Sequence, residues 1–170
     1  GHTYYFKQLY SSALASYDKA IAFGGNSYLI TTRYKIAVWG AGLSAQPVAD
    51  YCAQLIANSP SNYALYYWAG RAYQLSGFWT DSKKYLERGV ELAKKVVVLN
   101  PRDANAHSYL GLFYARLGMS AEGIDEADKG IELSGESATS VYRKAQLLAI
   151  LKDRKTEALD WLQKAVRKEY

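Results

Sequence analysis

One spacing constrains this chain more than any other feature. Tyr4, Val38, Tyr73, Tyr114 and Leu148 stand 34, 35, 41 and 34 residues apart. Ala20, Gln54, Gly89, Gly130 and Ala165 follow at steps of 34, 35, 41 and 35. A large residue and, in most units, a small one recur at nearly constant offsets inside a helical hydrophobic pattern. Such recurrence belongs to stacked helix pairs, each of which cannot bury its apolar face alone. The spacing therefore predicts an all-α array and directs the search for function toward a surface rather than a catalytic centre.

The array divides into five units, approximately 1–27, 28–62, 63–103, 104–137 and 138–170. In the first, Leu14, Tyr17 and Ile21 lie on one helical face, and Gly24-Gly25-Asn26 stops the helix. The unit opens in the middle of its pattern, so it reads as truncated and the chain as a fragment. The second unit is the least regular, with its second helix starting near Gln46-Pro47, since Pro suits a first turn. In the third, Ser61-Asn62 is a cap, YALYYWAGRAYQLSG one helix and FWTDSKKYLERGVELAKKVVVLN the next. The 41-residue step falls here. Seven extra residues are about two helical turns, so the second helix can lengthen without rotating its buried face. The run Val96-Val97-Val98-Leu99 lies on this extension. Its β-branching suits a strand, but its helical neighbours favour a helix. The fourth and fifth units each read as a helix pair closed by short connections at Ser134-Gly135 and Lys152-Asp153-Arg154.

Composition narrows the function. The chain has 170 residues, a formal net charge of +5, three prolines and sixteen tyrosines. Most of those rings are expected to fill gaps between helices, with the remainder suited to a binding face. No apolar run reaches the length of a membrane span, so this segment is not expected to insert into a membrane. Cys52 is the single cysteine, which excludes an internal disulfide and leaves the compartment open between cytoplasm, slightly preferred, and periplasm.

The residues that recur are those of the tetratricopeptide repeat family, which the chain resembles along its whole length. The fourth unit carries Leu110-Gly111, Tyr114, Gly118, Gly123, Ala127 and Gly130. The third carries Tyr66, Ala69-Gly70, Tyr73, Gly77, Ser82, Leu86 and Gly89, and its long helix reaches Pro101. The fifth carries Ala145, Leu148, Ala158, Leu162 and Ala165. The resemblance implies a right-handed superhelical array of antiparallel helix pairs, with the first helix of each pair lining a concave groove. It also implies groove residues: Ala64, Tyr67, Arg71 and Gln74 in the third unit, Asn105, Ser108, Leu112 and Arg116 in the fourth, and Thr139, Tyr142 and Gln146 in the fifth. That mixture of rings, amides and two arginines suits a protein or peptide segment carrying acidic residues or a free C-terminus. Family members that grip a chaperone tail use Lys and Arg where this chain has Asn105 and Tyr109, which disfavours that ligand. The closing TEALDWLQKAVRKEY resembles the last repeat of bacterial multi-domain regulators.

Other function classes fare poorly. His2 is terminal, and His107 has no Cys or acidic neighbour at metal-ligand spacing. Asp125, Glu126 and Asp128 lack the glycine arrangement of a calcium loop. No phosphate-binding glycine loop is present, so neither catalysis nor a cofactor is expected. Lys83, Lys84, Arg88, Lys94 and Lys95 form one basic cluster, and Lys152, Arg154, Lys155, Lys164, Arg167 and Lys168 another. Both read as solvated faces before they read as nucleic-acid contacts.

The alternative to a groove is assembly. The truncated first unit leaves Tyr4, Tyr5, Leu9, Tyr10 and Leu14 as an incompletely shielded helix edge. Self-association through this edge predicts that sedimentation at high micromolar concentration finds a dimer or larger species. Leu14→Glu should return the monomer. A wild-type chain that stays monomeric sets the edge aside.

Overall fold

The computed structural model describes residues 46–169, together with Ser12, Ala15, Ser16 and Lys19, which are helical and exposed. The proposed assembly edge, Tyr4, Tyr5, Leu9, Tyr10 and Leu14, lies outside the described residues. The described part is all-α, with no strand among the described residues. Its helices are α1 (Gln46–Asn58), α2 (Tyr63–Leu75), α3 (Trp79–Leu99), α4 (Ala104–Arg116), α5 (Ser120–Leu133), α6 (Ala138–Ile150) and α7 (Lys155–Glu169). Val96 to Leu99 are helical, the extension continuing α3 to 21 residues. The chain forms two compact units, Gly1–Tyr85 and Leu86–Tyr170, so α3 contributes its start to the first and the rest to the second.

In the first unit α1 packs on α2. Asn62 starts α2 by accepting a hydrogen bond from the Ala64 amide at 3.2 Å. Such a cap satisfies one of the donors that a helix N-terminus leaves unpaired. Ala49 and Cys52 of α1 and Leu65 to Ala69 of α2 are buried together. The recurring tyrosine Tyr73 then joins α2 to the start of α3: its ring stacks on Tyr85 at 5.2 Å between centroids. Burial and the neighbouring Tyr85 push the Tyr73 phenol up to about 12. It therefore stays neutral at any physiological pH and acts as a packing residue.

Both α2 and α4 end the same way. Phe78 donates its amide to the Tyr73 carbonyl at 2.9 Å, and Met119 to the Tyr114 carbonyl at 2.9 Å. The residues before them, Gly77 and Gly118, have φ of 81° and 84°. That left-handed turn closes the helix and reverses the chain, and it favours glycine because a side chain is strained there.

In the second unit α4 packs against α5 and α6, and α6 against α7. Every residue from Ala106 to Ala115 is buried, so α4 is a central helix that reaches solvent only at its ends, through Asn105 and Arg116. Glycine makes that closeness possible. A Cβ on Gly111 would stand 2.8 Å from the Gly123 carbonyl oxygen, and one on Gly123 would stand 3.0 Å from the Gly111 carbonyl oxygen. A Cβ on Gly130 would meet the Ser108 Oγ, with the Ala104 carbonyl oxygen at 3.0 Å. The backbones of α4 and α5 are thus in direct contact, and backbone has no rotamer through which to yield. On α3, Gly89 makes room for the buried ring of Phe113, which a Cβ would penetrate. Charge adds register. Lys144 of α6 has only 4% of its side chain exposed and donates to Asp128 of α5 at 2.7 Å.

At an exposed helical site, Gly→Ala gains about 1 kcal/mol. Gly89→Ala should instead destabilise the protein by about 1–3 kcal/mol through overpacking. Adding Phe113→Leu should make the double variant lose less than the sum of the two single losses. Urea unfolding of the four proteins measures this coupling, and strict additivity would mean that Gly89 and Phe113 do not contact.

Candidate functional site

The ligand face expected from the sequence belongs to the first helices of the units. In the second unit these are α4 and α6, which lie side by side. Asn105 and Arg116 occupy one stripe of α4, and helical periodicity puts Thr139, Tyr142, Arg143 and Gln146 on one stripe of α6. The N-terminus of α4 is capped by Asp103, which accepts from the Ala106 amide at 2.8 Å. The cap of α6 is Ser137, which accepts from the Ser140 amide. Both caps set where the stripes begin.

The central feature of this face is Arg143. Its guanidinium lies 4.4 Å from the centroid of the Tyr109 ring and donates to Asn105 Oδ1 at 2.6 Å. Ring and amide together hold the cation in one orientation across the α4–α6 seam. In the first unit a similar pairing is present: the Arg71 guanidinium lies 5.8 Å from the Trp68 ring centroid, and Trp68 meets Tyr67 edge to face at 5.1 Å.

The residues expected to line a groove divide by exposure. Asn105 and Thr139 are exposed, and Ala64, Arg71, Gln74, Arg116, Tyr142 and Gln146 are half-buried. Tyr67, Ser108 and Leu112 are buried and offer a ligand nothing directly. Ser108 instead returns its hydroxyl hydrogen to the Ala104 carbonyl at 2.8 Å and packs where Gly130 approaches. Arg143 is absent from the sequence-derived set. It stands one place beyond Tyr142 on α6, and its bond to Asn105, 38 residues away, is a tertiary fact. No local sequence pattern marks it.

Several other polar residues singled out in the sequence have structural partners. His107 is buried, with Nδ1 at 2.6 Å from Glu126 Oε2 and Nε2 at 3.1 Å from the Pro101 carbonyl oxygen. Both ring nitrogens are engaged, so neither is presented to a metal or substrate. Of the acidic cluster, Glu126 also meets Lys129 at 2.7 Å, and Asp128 holds Lys144. In the basic clusters Arg88 pairs with Glu91, Arg154 with Glu157, and Lys164 and Lys168 with Glu136. Among the described residues no group of three or more His, Cys, Asp or Glu is placed to hold a metal ion. No described helix is long and apolar enough to cross a membrane.

No protein-family model matches the chain, and no curated protein matches its sequence significantly. Solved structures do match. The crystal structure of TTC0263, a thermophilic TPR protein in Thermus thermophilus, aligns with a TM-score of 0.56 at 22% identity, over 94% of this chain and 82% of that one. MamA 41-end from Desulfovibrio magneticus RS-1 aligns with a TM-score of 0.44 at 18% identity, over 96% of this chain and 95% of that one. The first of these likenesses shows the fold: an all-α TPR-like array of helix pairs.

Burial pushes the Glu126 carboxyl up, but hydrogen bonds and charge from Lys129 and His107 outweigh it and hold the group below its ordinary value of 4.5. The unfolded chain therefore takes up a proton before the folded one does. The stabilisation is present above the unfolded value and is lost as pH falls through the lower folded value. Glu126→Gln should cost about 1–2 kcal/mol at neutral pH. The gap between variant and wild type should narrow as acid is added below the ordinary glutamate range. Thermal unfolding across pH measures it, and a gap independent of pH would mean that the Glu126 charge contributes nothing.

Proposed function

We propose that this chain is a non-catalytic protein-interaction domain that binds a peptide or protein segment along its first helices. The observation that carries the reading is the Arg143 guanidinium, stacked on Tyr109, bonded to Asn105 and half-exposed at the α4–α6 seam. Arg presents five N–H donors in a planar fork, so one bond to Asn105 leaves donors for a carboxylate. Its stacked position means that little side-chain freedom remains to be lost on binding. Tyr142 adds an amphipathic ring, and Gln146 and Thr139 add groups suited to the backbone amides of an extended peptide. Arg116 extends the positive character along α4, and Arg71 supplies the same chemistry in the first unit. The ligand this set favours carries Asp, Glu or a free C-terminus. The TPR-like fold supports the reading as a scaffold for interaction surfaces, while the particular ligand rests on the residues.

A library of short peptides, rich in Asp and Glu or ending in a free carboxylate, tests this by fluorescence titration of the full chain. Arg116→Ala together with Arg143→Ala should weaken the selected peptides about tenfold, with the helical circular dichroism unchanged. Amidating the peptide C-terminus separates a terminal from a side-chain carboxylate. Peptides that bind both proteins equally at low and high salt would remove the arginines from the account.

A further inference from the structure

The 41-residue step leaves a helix end that the ligand face does not use. Helix α3 runs for 21 residues, against 14 in α5 and 15 in α7. Its last turns are held on one side by Val96 and Val97, which are half-buried. On the other side Val98 and Leu99 are 79% and 87% exposed. Lys94 stands four residues before Val98, and Lys95 stands four before Leu99, so cations and aliphatics share one outward face. The exposed Arg102 follows in the turn, its amide donating to Asn100 Oδ1 at 3.2 Å.

The cations here lack acidic partners. None of Lys94, Lys95 and Arg102 forms an ion pair among the described residues. The neighbouring acids are committed elsewhere, Glu91 to Arg88 and Asp103 to the cap of α4. Lys94 Nζ rests 5.7 Å from the Tyr114 ring centroid, a neutral neighbour that leaves its charge uncompensated. Two bare aliphatics at the end of a helix form a point rather than a stripe, so a partner helix finds no seam to follow. A fluid bilayer surface has no fixed shape. It closes around a point and brings anionic phosphates to the depth of the lysines.

We propose that the C-terminal end of α3 docks on an anionic lipid bilayer. Val98 and Leu99 enter the boundary between headgroups and acyl chains, and Lys94, Lys95 and Arg102 meet the lipid phosphates. The contact goes beyond the expectation of no membrane insertion drawn from the sequence, because it needs only side chains at one helix end and no membrane-spanning helix.

Sedimentation of the full chain with vesicles tests this. One set is phosphatidylcholine with about 30% phosphatidylglycerol, and the other is phosphatidylcholine alone. The chain should bind the anionic vesicles at least about tenfold more tightly, and raising the salt to about 0.5 M should release it. The exposed substitutions Val98→Glu and Leu99→Glu, and separately Lys94→Ser with Lys95→Ser, should each weaken binding about tenfold. Lys164→Ser with Lys168→Ser removes the same charge far from the tip in sequence and should leave binding unchanged. Circular dichroism confirms that each variant is folded. The proposal is overturned if the wild-type chain stays in the supernatant with anionic vesicles. It is equally overturned if the tip variants bind as well as wild type, or if the Lys164 and Lys168 control loses as much as they do.

Discussion

Backbone-to-backbone contact between α4 and α5 is the constraint on which the second unit depends. Gly111 and Gly123 each stand where the other's carbonyl oxygen would meet a Cβ, and Gly130 lies against Ser108 and the Ala104 carbonyl. Side chains can repack around an added methyl group, but two helical backbones cannot. Three glycines in one helix pair lower intrinsic helix stability. The contact offsets that cost by allowing α4 to sit deep enough for ten consecutive residues to be buried. Gly89 does the same for a ring, accepting Phe113 against α3. The small residues of the repeat are therefore geometric requirements, and the large ones fill what that geometry leaves.

The charges obey a similar division. Glu126 and Asp128 look in sequence like part of a surface acidic cluster. In the folded protein Glu126 binds the buried His107, and Asp128 neutralises the nearly buried Lys144. Breaking such a pair leaves a charge without a partner in a poorly solvated place, which is strongly destabilising. These residues fix how α4, α5 and α6 sit together within the unit. The binding chemistry proposed for the chain falls to a cation outside that network. Arg143 is oriented by a ring and an amide rather than by a carboxylate, so its charge remains available.

The departure from the repeat period has a separate consequence. A helix lengthened by about two turns keeps the same buried face, since seven residues nearly complete two turns of 3.6. The extension of α3 therefore alters no packing closer to its start. It carries Val98 and Leu99 into solvent and sets them beside Lys94 and Lys95. A feature that costs the fold little is free to serve a contact of its own.

Much of this was legible in the sequence because helix pairs are a local, periodic device. The spacing of Tyr73 and Tyr114, the capping Asn62, and the stops at Gly77 and Gly118 each act over a few residues. Their physics needs no knowledge of the remainder of the chain. The helical state of Val96 to Leu99 follows from the same argument, with the neighbouring pattern outweighing β-branched propensity. What depends on contacts across tens of residues was not legible. Periodicity places Tyr67, Ser108 and Leu112 on the stripe that includes Arg71 or Asn105, yet all three are buried. A stripe only says which residues share a direction, and packing decides which of them reach solvent. His107 stands alone in the local sequence because its partner Glu126 lies 19 residues away, and Arg143 carries no local mark because Asn105 lies 38 away. The sequence by itself determined the helices, their ends and the small residues that let them approach. The tertiary structure decided which polar groups engage one another and which stay exposed, because that depends on distances between helices that no local pattern encodes.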